Sequence, residues 1–176
     1  MEKITIKNLL TSLGIIIIAA STRIIPHPPN FTPIGGLAIF SGIYFKKKSA
    51  AFIPLLAMLF SDLILGFHST MFFVYLSFLI SFFLGRLIRK KVNIIKLISI
   101  SFISSAFFFL ITNFGVWLMF DMYAKNFTGL INCYVMALPF FRNTFLGDFI
   151  YSLTFFYGYR YLLVLIKKIS LVFASD

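Results

Sequence analysis

Long apolar runs separated by short clusters of lysine and arginine limit what this chain can fold into more than any other feature. A helix needs about 20 residues to cross the roughly 30 Å hydrocarbon core of a bilayer. Because 60% of the residues are hydrophobic, a water-soluble core could not contain them. We therefore predict an all-α integral membrane protein, a six-transmembrane-helix bundle in a single membrane domain over residues 1–176. The predicted spans cover residues 7–25, 33–48, 49–67, 70–89, 95–120 and 139–166.

Two apolar stretches have alternative interpretations. Residues 128–138 are too short to cross a bilayer and are predicted to form an interfacial or re-entrant segment before the last span. The first run follows Lys3 and Lys7 and ends in small residues at 19–21, as a secretory signal peptide does. We favour a first span because it makes the number of spans even; cleavage of this segment stays open.

The basic residues indicate a topology. With the N-terminus inside, all of the 16 lysines and arginines except Arg23, Lys125 and Arg142 fall on one side of the membrane. Cytoplasmic segments of membrane proteins carry such an excess of positive charge. We expect both termini in the cytoplasm and a multi-pass protein of a bacterial cytoplasmic (inner) membrane. The formal net charge of +11 therefore does not indicate a nucleic-acid partner; the expected surrounding is the lipid bilayer.

A rigid turn joins the first two spans. Prolines are concentrated in residues 23–36, where they forbid continuous helix and favour extended backbone. Thr32 followed by Pro33 predicts the start of the next helix, with a hydroxyl cap and proline at the first helical position. The turn also carries His27 and Asn30 on the predicted outer side.

Ionisable side chains within a span cost roughly 2.5–3.5 kcal/mol each and usually face a bundle interior or a water-filled cavity. On the six-span topology, the polar residues of the spans fall at one depth, near the non-cytoplasmic face, and His27, Asn30 and His68 fall on the outer loops. We therefore predict an outward-facing pocket for a small polar solute, in which Asp62 and Asp148 bind polar groups and Trp117 contacts a flat or apolar part. The candidate substrate-binding residues are Arg23, His27, Asn30, Asp62, His68, Asn113, Trp117, Arg142, Asn143 and Asp148.

Two other roles of the aspartates remain open. An arginine, Arg23 or Arg142, could pair with Asp62 or Asp148 only to neutralise charge and hold the helices together. Two close carboxylates could also share a proton and act as an enzymatic dyad. The sequence contains none of the hydrolase, metalloprotease, nucleotide or dinucleotide motifs, so no catalytic residue and no cofactor is predicted.

A metal site is the alternative for the histidines. Imidazole and carboxylate are suitable transition-metal ligands, and His27 and His68 both fall on predicted outer loops. Their spacing matches no metal motif, however, and we predict no metal. The single cysteine also excludes an internal disulfide.

Small residues at every fourth position predict close helix contacts. The patterns are Ala38-x-x-x-Gly42 in the second span and Ala57-x-x-x-Ser61 in the third. We expect this packing to lie within one bundle; contact with a partner membrane protein is the alternative.

Four segments carry a resemblance to a known family. They are residues 27–36 (HPPNFTPIGG), 61–68 (SDLILGFH), 112–117 (TNFGVW) and 137–148 (ALPFFRNTFLGD). Together they resemble an uncharacterised family of small bacterial multi-pass membrane proteins. That family is similar to the substrate-binding (S) components of energy-coupling-factor (ECF) transporters.

The resemblance implies a six-helix bundle with an outward-facing site for a vitamin, a metal ion or a similar micronutrient. It also implies transport partners: a membrane coupling subunit and two cytoplasmic ATPases. S-components often show small residues at every fourth position of the first helix, a spacing that Ser12, Ile16 and Ala20 keep only in part. The predicted function is small-solute binding and uptake; the alternative is a non-transporting assembly or scaffold protein.

Overall fold

The computed structural model describes the backbone of residues 6–172, and the side chains of residues 16–164 together with Gly14. In this part of the chain all regular structure is helical, which confirms the all-α prediction. Lys3 lies outside the described residues, and so do the side chains of Lys7 and Ser12. The helices are α1 (Ile6–Ile24), α2 (Pro33–Tyr44), α3 (Phe52–Leu65, preceded by a 3-10 turn at Lys48–Ala51), α4 (Met71–Ile88), α5 (Ile94–Met119) and α6 (Phe127–Val172).

Three of the described helical segments are long and apolar enough to cross a membrane. They are Lys48–Leu65, Met71–Ile88 and Ile94–Met119, whereas Pro33–Tyr44 is apolar but shorter. The chain is therefore built as a membrane protein. The number of spans and the side on which the termini lie stay predictions.

The last helix begins earlier than predicted, because it includes residues 128–138. They are not a separate segment but the first turns of α6, which runs for 46 residues through Pro139. Side-chain contacts hold these turns along α5, since the Tyr134 hydroxyl donates to the Leu110 carbonyl over 2.8 Å. At 1.5 Å per residue the helix measures about 69 Å along its path, against roughly 40–45 Å for a bilayer with headgroups. The helix is therefore longer than a bilayer is thick, which the span-by-span length argument did not foresee.

Helices α2, α4 and α6 run in one direction. The N-terminal turn of α2 lies against Asp148 of α6, and further along both helices the Tyr44 and Tyr159 rings pack with centroids 4.4 Å apart. At the other end, the Arg86 guanidinium of α4 donates to the Phe45 and Lys46 carbonyls, 3.3 and 3.1 Å away. The basic segments 46–48 and 86–91 therefore gather at one end of the bundle.

Helix α5 runs antiparallel to α2, α4 and α6. Asn113 near its C-terminus lies at Cys133, and Ser101 lies at Ser152, further along α6. The connections 25–32, 66–70 and 120–126 consequently lie at the same end of the bundle, away from the basic segments. We call this the loop end of the bundle.

Helix α2 is the core of the bundle, because every residue from Pro33 to Ile43 is buried. Its neighbours approach it closely, and a Cβ added at Gly42 would overlap the Phe82 carbonyl oxygen of α4. The predicted close contact at Gly42 is thus confirmed. Thr32 does precede the helix and Pro33 does begin it, but the Thr32 hydroxyl makes no capping hydrogen bond, so that detail of the prediction is wrong.

Candidate functional site

A cavity of about 260 Å³ opens among the helices at the loop end. Its wall draws on α1, α3, α4, α5 and α6 and on the two connections 25–32 and 66–70. The charged and polar side chains on this wall are Arg23, Asn30, Thr32, His68, Thr70, Thr144 and Asp148. Polar groups separated in sequence by more than a hundred residues therefore face one space.

Arg23 is held on the wall by a buried ion pair with Asp62. Its Nη1 atom lies 2.5 Å from Asp62 Oδ1 and 2.6 Å from Ser61 Oγ. The Asp62 side chain is fully buried, and its second oxygen accepts a hydrogen bond from the Tyr75 hydroxyl over 2.9 Å. Asp62 thus has both oxygens engaged and lies behind Arg23 rather than on the cavity wall. Of the four possible charge-neutralising pairs between an arginine and an aspartate, the structure forms Arg23–Asp62.

Removing the Tyr75 hydroxyl tests this arrangement. We expect Tyr75→Phe to lower the free energy of unfolding by about 1.5 kcal/mol, because a hydrogen bond to a charged group is lost at a partly buried site. Reversible unfolding in mixed micelles measures the change. Tyr161→Phe, at a tyrosine 67% exposed on α6, is the matched control and should leave stability unchanged. Equal stability of the two variants would contradict the contact.

Asp148 is the second buried carboxylate, with 5% of its surface exposed. Its Oδ2 atom accepts hydrogen bonds from Ser105 Oγ at 2.7 Å and from Ser104 Oγ at 3.4 Å. No ion pair reaches it from any residue that the structure describes. The surroundings of Asp148 are therefore hydroxyl groups and not cations.

A cluster of buried serines from α4, α5 and α6 surrounds this carboxylate, and sequence reasoning missed it. Ser104 Oγ also lies 2.7 Å from Ser81 Oγ, and Ser101 Oγ lies 3.3 Å from Ser152 Oγ. The signal was present as serines three or four residues apart within apolar runs, which places them on one helix face. The members, each at most 1% exposed, are Ser77, Ser81, Ser101, Ser104, Ser105 and Ser152.

Asn113 and Trp117 are not brought to the cavity wall. The Asn113 amide donates to the Phe109 carbonyl of its own helix over 2.8 Å. The Trp117 indole N–H donates to the Ala124 carbonyl over 2.9 Å, and Lys125 Nζ lies 2.5 Å from the Trp117 carbonyl. Trp117 therefore fastens the 120–126 connection to the end of α5.

The remaining predicted residues lie in or beside the connections at the loop end of the bundle. Asn143 donates from Nδ2 to the Pro29 carbonyl over 3.1 Å, which ties α6 to the 25–32 turn. His27 Nδ1 lies 2.6 Å from the Ile25 carbonyl within that turn, and Arg142 is exposed. His68 is the histidine on the wall, with Nδ1 3.0 Å from Thr70 Oγ1. Among the described side chains, no three of His, Cys, Asp and Glu converge on a point suited to a metal ion.

The profile of one protein family matches almost the whole chain. It is DUF6580, a family of unknown function, and the match covers residues 3–169. No curated protein and no solved structure matches the chain. The similarity to S-components therefore stays a prediction from the sequence motifs, whereas membership of a family without a known function is confirmed. The chain belongs to the DUF6580 family.

Proposed function

We propose that this protein is a membrane-embedded component that binds a small solute for uptake. The observation that supports it is the cavity of about 260 Å³, which collects Arg23, Asn30, His68 and Asp148 inside a bundle whose outer surface is largely apolar. Binding sites for small molecules are concave and combine mostly apolar walls with a few placed polar groups. The volume lies just under the roughly 300–1,000 Å³ typical of drug-sized ligands, which favours a small solute.

The distribution of charge supports an outward-facing site. Basic residues gather at the end of the bundle opposite the cavity, where Arg86 contacts the carbonyls that follow α2. Since basic segments stay on the cytoplasmic side, we place the cavity on the outer face of a bacterial cytoplasmic membrane. Six spans with both termini inside would fit this orientation.

Coupling to a membrane subunit with cytoplasmic ATPases is part of the proposal on the strength of the S-component resemblance. A docking face for such a subunit would have to lie away from Ile16 and Ala20, since these residues of α1 are only 4% and 8% exposed and are buried within the chain's own bundle. Copurification with an ATPase module after mild solubilisation would support the coupling.

The test of solute binding is a screen of small solutes against the purified protein in detergent, read out as a shift in the unfolding temperature. Two matched variants on α4 then test whether each solute that binds does so in the cavity. Val74→Phe fills the cavity from its wall and should weaken binding at least 10-fold, whereas Leu87→Phe, at a side chain 76% exposed, should not. Hits that bind both variants equally well would refute the cavity as the binding site.

A further inference from the structure

The charges around the cavity do not cancel. Arg23 carries the one guanidinium among the wall residues, and its positive charge is matched by Asp62. Both of its hydrogen bonds to described residues come from Nη1 and end on Asp62 and Ser61. Asp148 has no cation of its own in the part of the chain that the structure describes. With Asp148 ionised, the wall is therefore short of one positive charge.

One oxygen of Asp148 is open to the cavity. Oδ2 accepts from Ser105 and Ser104, while Oδ1 accepts no hydrogen bond from any described residue. Every fully enclosed side-chain oxygen in the described part of the chain has a hydrogen-bond partner. Because Oδ1 has none, it is not fully enclosed and is in contact with open space. Asp148 lines the cavity, and we infer that the cavity is the space that Oδ1 meets.

The N-terminal turn of α2 compensates only part of this charge. Gly35 packs directly against Asp148 Oδ1, close enough that a Cβ would overlap the oxygen. A helix N-terminus carries roughly half a positive charge, and hydroxyl donors carry none. A buried carboxylate that stays ionised needs a countercharge to offset its loss of hydration.

The apolar part of the wall also suits a ligand that carries a positive charge. Phe78 and Phe108 line the cavity with ring centroids 5.3 Å apart, and Met58 and Val74 lie beside them. The face of an aromatic ring attracts a cation, and the attraction grows when water is excluded. Aliphatic groups attached to a charged nitrogen would contact these side chains, and the free N–H groups of Arg23 suit an oxygen on the same molecule.

We propose that the solute is a small organic cation, whose protonated or quaternary nitrogen pairs with Asp148 against the Phe78 and Phe108 rings. This inference rests on the proposed function, because it requires that the cavity bind a solute. It assigns Asp148 the role of the countercharge and Arg23 the role of a donor to a polar group at the other end of the ligand.

The test compares cations with neutral molecules of the same shape. Choline is measured against its neutral carbon analogue, in which carbon replaces nitrogen, and ethanolamine against ethylene glycol. Titration calorimetry on the full chain in detergent at about pH 8, where ordinary imidazoles are neutral, gives the affinities. We expect at least one cation to bind 10-fold or more tightly than its partner, and Asp148→Asn to remove that preference.

The comparison within each pair needs only the wild-type protein, so it stands even if Asp148→Asn fails to fold. Equal affinities within both pairs would overturn the inference and leave the proposed function intact. The inference would also be wrong, and the proposed function intact, if neither cation binds but a neutral or anionic solute binds to the wild type and not to Val74→Phe. A protein that binds no solute in the cavity would overturn both.

Discussion

Replacing Arg23 with methionine is expected to cost the folded protein about 3–5 kcal/mol, the range for breaking a buried ion pair by removing one partner. Methionine replaces the apolar part of the arginine side chain but leaves the fully buried Asp62 carboxylate without its cation. A buried charge that loses its partner keeps its desolvation penalty and gains nothing in return. Unfolding in mixed micelles, followed by tryptophan fluorescence or by accessibility of Cys133, measures the loss.

A double-mutant cycle separates the ion pair from the packing of Arg23. Asp62→Asn removes the charge and keeps an oxygen that can accept from Tyr75. We expect Arg23→Met with Asp62→Asn to be less destabilised than the sum of the two single variants by about 2 kcal/mol. Strict additivity would show that the pair contributes nothing. Asp121→Asn, which changes the ion pair between the fully exposed Asp121 and Lys125, is the control and should leave unfolding unchanged.

The position of the site along the bundle axis could largely be predicted from the sequence. Charge counting and span lengths brought Arg23, Asp62 and Asp148 to one depth, and the structure places Arg23 and Asp148 on the wall of one cavity. Depth is one coordinate, however, and it leaves the rotation of each helix about its axis undetermined. Trp117 shows the difference, because it occupies the expected end of α5 yet faces the 120–126 connection.

The parts of the site that sequence reasoning missed have two physical causes. A serine in an apolar run carries little information by itself, since it can donate its hydroxyl to its own helix, as Ser77 does to the Phe73 carbonyl 2.7 Å away. Only the meeting of several serine faces at Asp148 gives them a role, and that meeting depends on tertiary packing. The length rule likewise treats each span separately, and so it divided α6 at residue 138.

The close packing of α2 against α4 leads to the second large expected effect. Gly42 and Gly85 face backbone carbonyls in a reciprocal contact, Gly42 towards Phe82 and Gly85 towards Ile39. Small residues allow membrane helices to approach in this way, which is favourable because dispersion contacts and weak C–H···O bonds replace contacts with lipid. A carbonyl in a helix cannot rotate away from an added methyl group, so relief requires the helices to separate.

Gly42→Ala should therefore destabilise the protein by about 3 kcal/mol, the upper end of the usual cost of overpacking. Gly158→Ala is the matched control on α6, where no heavy atom outside the local helix lies within 4 Å of the added Cβ. It should stabilise the helix by about 0.5–1 kcal/mol, because alanine loses less conformational freedom than glycine. Similar unfolding midpoints for the two variants would mean that α2 and α4 do not touch at this point. Because the same α2 holds Gly35 against Asp148, a displaced α2 should also weaken solute binding in Gly42→Ala, an effect that Gly158→Ala should lack.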